Sequence, residues 1–416
     1  MFKLAFLFAG QGSQFVGMGQ GIYNEYKIVR QTFEEASDIT GMDIAKLCLE
    51  GSITSLSKTK ESHFAIVTSG LAAFRVFMQE VGYAPQFLAG HSLGEYTALT
   101  SAGVFSFQDA LSLVGLRAEL AEAAKKEKNG TMSVIENVDT GIVAQLCKEQ
   151  QELGKKVYVS CLSSATQTTI SGDENDIMDF EQIITKKGGN ATPLLTSAPY
   201  HCPLMEDYVE EFQKKLDSIE LQEFRYPVIS NATGLPYEGL EAVRTNLVNH
   251  LLKPVQWVNI VNYLHKKGIS LVIEMGPKNL LSKIVTSIQP ELKAMCIGER
   301  EKRKELFATY HNTEMYSKHI PTLLTKCLVA GVATPNSNWD NEAYQKGVVE
   351  PYNRIKELQL QTEKDPTALN AAVEREALEL LQKIFVTKQL PEKEQKLWFR
   401  QILEETGLNY DYKEFI

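Results

Sequence analysis

The sequence predicts an α/β fold in which a mainly parallel sheet is wrapped by helices, interrupted by a small ferredoxin-like subdomain and followed by a mainly helical C-terminal extension. Three observations carry this expectation. Leu4 to Ala9 and Phe87 to Ala89 are short, continuously apolar runs that each end at glycine, as parallel strands covered on both faces do. Gly90-His91-Ser92-Leu93-Gly94-Glu95 follows the second run and has the form of a nucleophile elbow, a serine on a sharp turn between strand and helix. From Thr131 to about Leu195 the order is strand, helix, two strands, helix, strand, which is a βαββαβ unit.

The elements follow in order. The Leu4 strand ends in a glycine loop at Gly10-Gln11-Gly12, and a helical pattern covers Ser62 to Val81. After the Phe87 strand and the elbow comes a helix from Phe107 to Lys125. The insert comprises helices Gly141 to Glu152 and Glu174 to Lys187, with strands Val157 to Ser160 and Thr168 to Ser171 between them. The chain returns to the main sheet through Tyr226-Pro227-Val228-Ile229-Ser230-Asn231 and through Leu271-Val272-Ile273-Glu274-Met275-Gly276, which precedes another helix.

Beyond about Arg303 the composition changes. Ala333 to Asn341 is loop-like and Leu358 to Asp365 is polar. Asp365-Pro366 then reads as a cap and first turn of a helix with Leu369, Val373, Leu380, Leu381 and Ile384 on one stripe. A second helix, Glu392 to Glu405 with Leu397, Trp398, Ile402 and Leu403, stops at Gly407. These stripes fit packing onto the parent domain better than docking to a partner, because amphipathic helices mostly face a core. The implied boundaries are residues 1–128 and 197–302 for a large subdomain, 129–196 for the insert and 303–416 for the extension.

With 416 residues, 44% of them hydrophobic and 23% charged, the chain has room for two or three packed units. Its formal charge of -9 gives no general attraction for nucleic acid or for an anionic membrane. The six cysteines, Cys48, Cys147, Cys161, Cys202, Cys296 and Cys327, show no CxxC pair and no metal-ligand spacing, so a reducing compartment is expected. The apolar N-terminus is too short to span a bilayer and lacks a cleavage pattern, which points to a cytoplasmic protein.

Small residues around Ser92 let strand and helix nearly touch, and a helix starting there points free N–H groups at a developing oxyanion. A glycine-bounded helix start with a polar cap would look the same. Phe8-Ala9-Gly10-Gln11-Gly12-Ser13-Gln14, Gly90-His91-Ser92-Leu93-Gly94-Glu95-Tyr96, Arg117, Tyr200-His201-Cys202-Pro203-Leu204-Met205, Pro254-Val255-Gln256-Trp257 and Glu274-Met275-Gly276-Pro277 narrow the choice. In order and spacing they resemble the malonyl-CoA:acyl carrier protein transacylases, including the discrete acyltransferases that serve polyketide synthases in trans. The resemblance covers residues 1 to about 300 and implies an α/β-hydrolase-like core.

It also implies roles. Thioester-to-thioester transfer needs a nucleophile, a base that takes and returns its proton, and oxyanion donors. By resemblance these are Ser92, His201, and the backbone N–H groups of Gln11 and Leu93. The base would be held by main-chain carbonyls near Asn249-His250-Leu251-Leu252 instead of by an aspartate. His91, the other histidine near the serine, should point away from the hydroxyl.

Arg117 lies among apolar neighbours, where a guanidinium can form a bidentate pair with a carboxylate that malonyl has and acetyl lacks. An uncharged acyl group would leave a desolvated cation unpaired, at a cost on the order of 1 to 3 kcal/mol. The other reading of Arg117 is a surface ion pair with Glu119 or another acid.

The chain departs from the family's usual residues at His63-Phe64, Ser163, His250 and Ala121, where Gln-Pro, asparagine, glutamine and methionine are common. With His91, the positions His63, Ser163 and His250 are the expected acyl-pocket residues, and the pocket is expected to admit a carboxylate other than malonyl.

The expected reaction moves malonyl from malonyl-CoA, through Ser92, to the phosphopantetheine thiol of an acyl carrier protein. No cofactor is held permanently and no metal is involved. The partners are the carrier protein and, through the extension, polyketide synthase modules. Two other readings are an editing acyl hydrolase of the same fold, against which Arg117 counts, and a scaffold protein that docks through its extension.

Overall fold

The computed structural model describes residues 3–194, 197–311, 322–365, 369–406, 408 and 412–415. The chain divides into two compact units, described residues up to Phe74 with those of Ala84–Leu306, and Arg75–Tyr83 with the described residues from Phe307 onward.

In the first unit, strand β1 (Leu4–Phe8) is buried at every residue, as its unbroken apolar run requires. Helix α1 (Thr59–Glu80), whose residues from Arg75 onward count with the second unit, starts three residues before the expected Ser62. Then come β2 (Phe87–Gly90), α2 (Gly94–Ser101) and α3 (Phe107–Glu127), the last capped by Ser106. The insert is β3 (Gly130–Glu136), α4 (Thr140–Glu152), β4 (Val157–Leu162), β5 (Gln167–Asp173), α5 (Glu174–Lys186) and β6 (Asn190–Pro193). Leu195, where this unit was expected to end, lies outside the described residues. The return adds β7 (Val228–Ile229), α6 (Leu240–Leu252), α7 (Trp257–Lys266), β8 (Leu271–Glu274), α8 (Leu280–Ile288) and β9 (Lys293–Cys296).

The larger sheet has the order β7-β2-β1-β8-β9 and is parallel throughout. Its register sets Phe8 opposite Gly90, so the loop after β1 and the elbow after β2 leave the sheet side by side. That is the carboxyl edge, where open α/β sheets bind their ligands. The smaller sheet, β4-β5-β3-β6, is antiparallel and has the ferredoxin-like order. All six cysteines are buried free thiols, and no helix among the described residues is long and apolar enough to cross a membrane.

The second unit contains α9 (Leu323–Ala333), α10 (Glu350–Lys364), α11 (Ala371–Thr387) and α12 (Glu392–Thr406). Its helices bury Leu328, Ile355, Leu381, Ile384, Phe399 and Leu403 against one another in a core of their own. One expectation, the start of the next helix, is corrected here. Leu358 to Lys364 is helical, the end of α10, with Leu358 buried. Asp365 ends α10 and does not open the next helix. α11 begins at Ala371, where Asn370 accepts hydrogen bonds from the N–H groups of Ala372 and Val373. Pro366 and Gly407, the other two residues of the expected boundaries, lie outside the described residues.

Candidate active site

Glycine makes the turn after β2 possible. A Cβ on Gly90 would stand 1.9 Å from the carbonyl carbon of Gly94, one on Gly94 2.0 Å from the Phe8 oxygen, and one on Gly10 2.3 Å from the His91 oxygen. Loop, strand and helix are therefore in backbone contact. Ser92 sits at the apex with φ 50°, in the left-handed region that L-residues avoid. A single side chain spans the turn: Asn231, just past β7, accepts from Ser92 N at 2.8 Å and donates from Nδ2 to Gly90 O at 2.6 Å.

Ser92 Oγ lies 2.7 Å from His201 Nε2, and His201 Nδ1 lies 2.6 Å from the carbonyl oxygen of His250. A carbonyl only accepts, so Nδ1 carries the proton and Nε2 offers its lone pair to the serine. Burial pushes the His201 imidazole down to about 3, and the Arg117 guanidinium adds to the effect, so the ring is neutral at ordinary pH.

The buried acid in this region, Glu95, does not touch His201. Its Oε1 accepts from Asn231 N at 2.8 Å and from the Tyr237 hydroxyl at 2.7 Å. Its Oε2 is 3.0 Å from His250 Nδ1 but off the line of a hydrogen bond. Burial raises this carboxyl to about 7. The His250 ring stacks on His201 at 4.6 Å.

Arg117, on α3, is 1% exposed. Its Nη2 donates to Ser92 Oγ at 3.2 Å, and the guanidinium lies 4.2 Å from the Tyr200 ring centre and 5.7 Å from that of Tyr96. Its Nε is buried without a hydrogen-bond partner, and among the described residues no carboxylate forms an ion pair with it. Glu119, the acid considered for it, pairs with Lys60 instead. A buried cation beside the serine thus has no carboxylate in ion-pair contact, Glu95 acting on it only from farther away, a costly arrangement unless an anion arrives.

Among the described residues, the amides of Gln11 and Leu93 make no hydrogen bond. Both belong to the segments that the glycines press together.

The expected pocket residues fall into two groups. His63, fully buried on α1, sets Nδ1 3.2 Å from Val114 O, leaves Nε2 without a partner and lies 6.1 Å from the Tyr200 ring. Burial, with Arg117 adding, pushes it down to about 3. His91 faces away, with Nε2 3.1 Å from Cys161 Sγ and its ring edge-on to Trp257. Cys161 Sγ in turn lies 3.3 Å from Ser163 Oγ. The structure thus gathers Ser92, His201, Arg117 and His250, with His63 beyond Tyr200, and sets His91 and Ser163 on a separate chain through Cys161. Sequence reasoning did not single out Asn231, Glu95, Tyr200 or Cys161. Asn231 had one signal, a polar residue at the carboxyl end of a parallel strand.

A serine, a neutral base, free amides and an unpaired cation suit acyl transfer from an acid-bearing thioester. Comparison with known proteins bears on this chemistry. Residues 5–333 match the acyl transferase domain family. A malonyl CoA-acyl carrier protein transacylase of Bacillus subtilis is 37% identical over 395 residues, covering 95% of this chain and 99% of the relative. The protein of that description from Escherichia coli K12 is 35% identical over 300 residues, 72% of this chain and 97% of its own. Among solved structures, a malonyl-transacylase in complex with its type II polyketide synthase acyl-carrier protein aligns with a TM-score of 0.71 at 33% identity. It covers 74% of this chain and 99% of its own. A malonyl-CoA:acyl carrier protein transacylase of Xanthomonas oryzae pv. oryzae gives 0.71 at 32%, again covering 74% and 99%.

Proposed function

The chain belongs to the acyl transferase domain family, as a malonyl-CoA:acyl carrier protein transacylase, and we propose that Ser92, His201 and Arg117 carry its reaction. Ser92 Oγ attacks the thioester carbonyl of malonyl-CoA while His201 Nε2 takes its proton. The Gln11 and Leu93 amides receive the oxyanion. As the C–S bond breaks, His201 returns the proton to the departing thiolate of coenzyme A. The phosphopantetheine thiol of an acyl carrier protein then gives its proton to His201, attacks the malonyl ester and restores Ser92. The enzyme needs no resident cofactor for these steps.

Arg117 carries this reading: a guanidinium 1% exposed and without a carboxylate partner, 3.2 Å from the nucleophile, is placed to hold the free carboxylate of the acyl group. The acceptor is a carrier protein met in trans, for a polyketide synthase, with the second unit as the docking segment. The Bacillus subtilis relative supports sharing of that unit, since its match covers 95% of this chain whereas the Escherichia coli match covers 72%. His63 and Ala121 shape an acyl pocket that takes other dicarboxylic groups besides malonyl.

The test exposes the protein to mixed malonyl-, methylmalonyl-, succinyl- and acetyl-CoA and weighs the intact acyl-enzyme, with Ser92→Ala as the blank. Carboxylate-bearing groups should load and pass to a carrier protein. Loading of acetyl in preference to malonyl, or release of carrier-bound acetyl as free acid, would overturn the assignment. If only malonyl loads, the wider pocket fails and the transferase stands.

A further inference from the structure

Arg117 and His201 meet on one oxygen. Ser92 Oγ receives Arg117 Nη2 at 3.2 Å and faces His201 Nε2 at 2.7 Å, with both side chains buried. In a site with little water, a cation this close to an imidazole opposes its protonation strongly. We propose that the Arg117 charge holds His201 back as a base, and that the carboxylate of the incoming acyl group switches the base on by neutralising that charge. The inference rests on the reading that the acyl carboxylate pairs with Arg117, and adds to it that the substrate tunes the catalyst.

The other groups facing His201 do not supply that charge. His250, from α6, stacks on the ring, and His91, on the elbow, is turned to Cys161 and acts on the ring only through space; burial pushes His250 well down and His91 to about 4, so both are neutral. Tyr200, adjacent in the chain, and Tyr96, from α2, are pushed up to about 12 and higher by burial and stay protonated. Glu95, from α2, lies behind His250 with its carboxyl raised to about 7. His63, from α1, lies beyond Tyr200 and is neutral. Arg117 is therefore the cation at the base, and burial and its charge together hold the imidazole down.

The consequence reaches specificity. When malonyl binds, its carboxylate pairs with the guanidinium and the field on His201 falls. The Oγ–H bond then breaks toward Nε2 as the Oγ–C bond forms, and the same proton leaves with the coenzyme A thiol as the C–S bond breaks. Acetyl-CoA leaves Arg117 charged and the base weak, so the preference for a carboxylate appears in kcat as well as in KM.

The experiment is a histidine NMR titration of the full chain, labelled at Cε1, with the His201 signal assigned by His201→Asn. It compares the unloaded protein, the protein saturated with sodium malonate, and Arg117→Met, or Arg117→Gln if the first variant does not fold. His201 should titrate at least about one pH unit higher with malonate than without, and higher by a similar amount in the Arg117 variant. Malonate should add nothing further in that variant.

An unchanged His201 titration in the Arg117 variant overturns the proposal, as does an imidazole that stays neutral in all three samples. A shift in the variant with none from bound malonate overturns the switch. Failure of the unsubstituted protein to load malonyl on Ser92, with the Arg117 variant's shift intact, would overturn the transfer reading alone.

Discussion

Asn231 shows how much of the site depends on one side chain with no part in the chemistry. It holds the amide of Ser92 and the carbonyl of Gly90, while its own amide is held by Glu95. Asn231→Leu keeps the bulk and strands that buried N–H and C=O, each costing about 1 to 3 kcal/mol. The serine then loses its brace at φ 50°. A misplaced nucleophile loses about a hundredfold in rate, so we expect kcat to fall by about that factor with KM nearly unchanged. Steady-state transfer kinetics on protein shown to be folded by circular dichroism would measure it; a rise in KM at constant kcat would contradict the role. Ser92, His201 and Arg117 are legible in the sequence because short local motifs surround them. Asn231 is not, because it lies 139 residues from the amide it holds and acts through backbone groups that any residue possesses. The Glu119 alternative for Arg117 fails for a helical reason: residues two apart point to different sides of α3, and Glu119 meets Lys60.

At the scale of elements, the strand–turn–helix unit was legible because glycine spacing records a backbone contact that no other residue permits. Gly94→Ala would press a Cβ to 2.0 Å from the Phe8 oxygen, and backbone cannot yield as a flexible side chain can. We expect a loss of about 3 kcal/mol or more, read as a lowered urea midpoint or as insoluble protein; near-normal stability would show that β1 and α2 can separate. The helical extension was less legible. Asp365-Pro366 has the composition of a helix start, yet Asn370 does the capping, because the burial of Leu378, Leu381 and Phe385 sets where the helix runs. The end of α10 read only as a polar stretch because few residues of the helix, Pro351, Ile355 and Leu358 among them, are buried. The short edge strand β9, with Lys293 exposed and Cys296 buried, gave too little pattern to be read. Asn370→Ala should cost about 1 kcal/mol and lower the melting temperature of the second unit. Acyl loading on Ser92 should be unchanged; a loss of loading would tie the extension to catalysis.

For the whole chain, the buried titratable groups of the first unit predict how stability depends on pH. Burial holds His63 and His201 down to about 3, His91 to about 4 and His250 well below its ordinary value, so the folded protein keeps these rings neutral in mild acid. The unfolded imidazoles take up protons below about 6.5. As pH falls through that value each ring therefore favours unfolding. Glu95 and Glu274 act in the opposite direction: burial raises both to about 7, so between their ordinary 4.5 and 7 the folded state holds the extra protons. Four groups oppose two, and near pH 5.5 unfolding takes up about two protons net. That is a slope of ~3 kcal/mol per pH unit, with stability falling as the solution is acidified. Below about 4.5 the carboxyls are protonated in both states and the slope steepens. Urea titrations between pH 5 and 7, following Trp257 fluorescence in a chain carrying Trp339→Phe and Trp398→Phe, would measure it. His250→Gln removes one of the four rings and should reduce the slope by about 1.4 kcal/mol per pH unit. Equal or greater stability at pH 5 than at pH 7 would mean that the two carboxyls outweigh the histidines, and that the site around Ser92 is far better hydrated than its burial indicates.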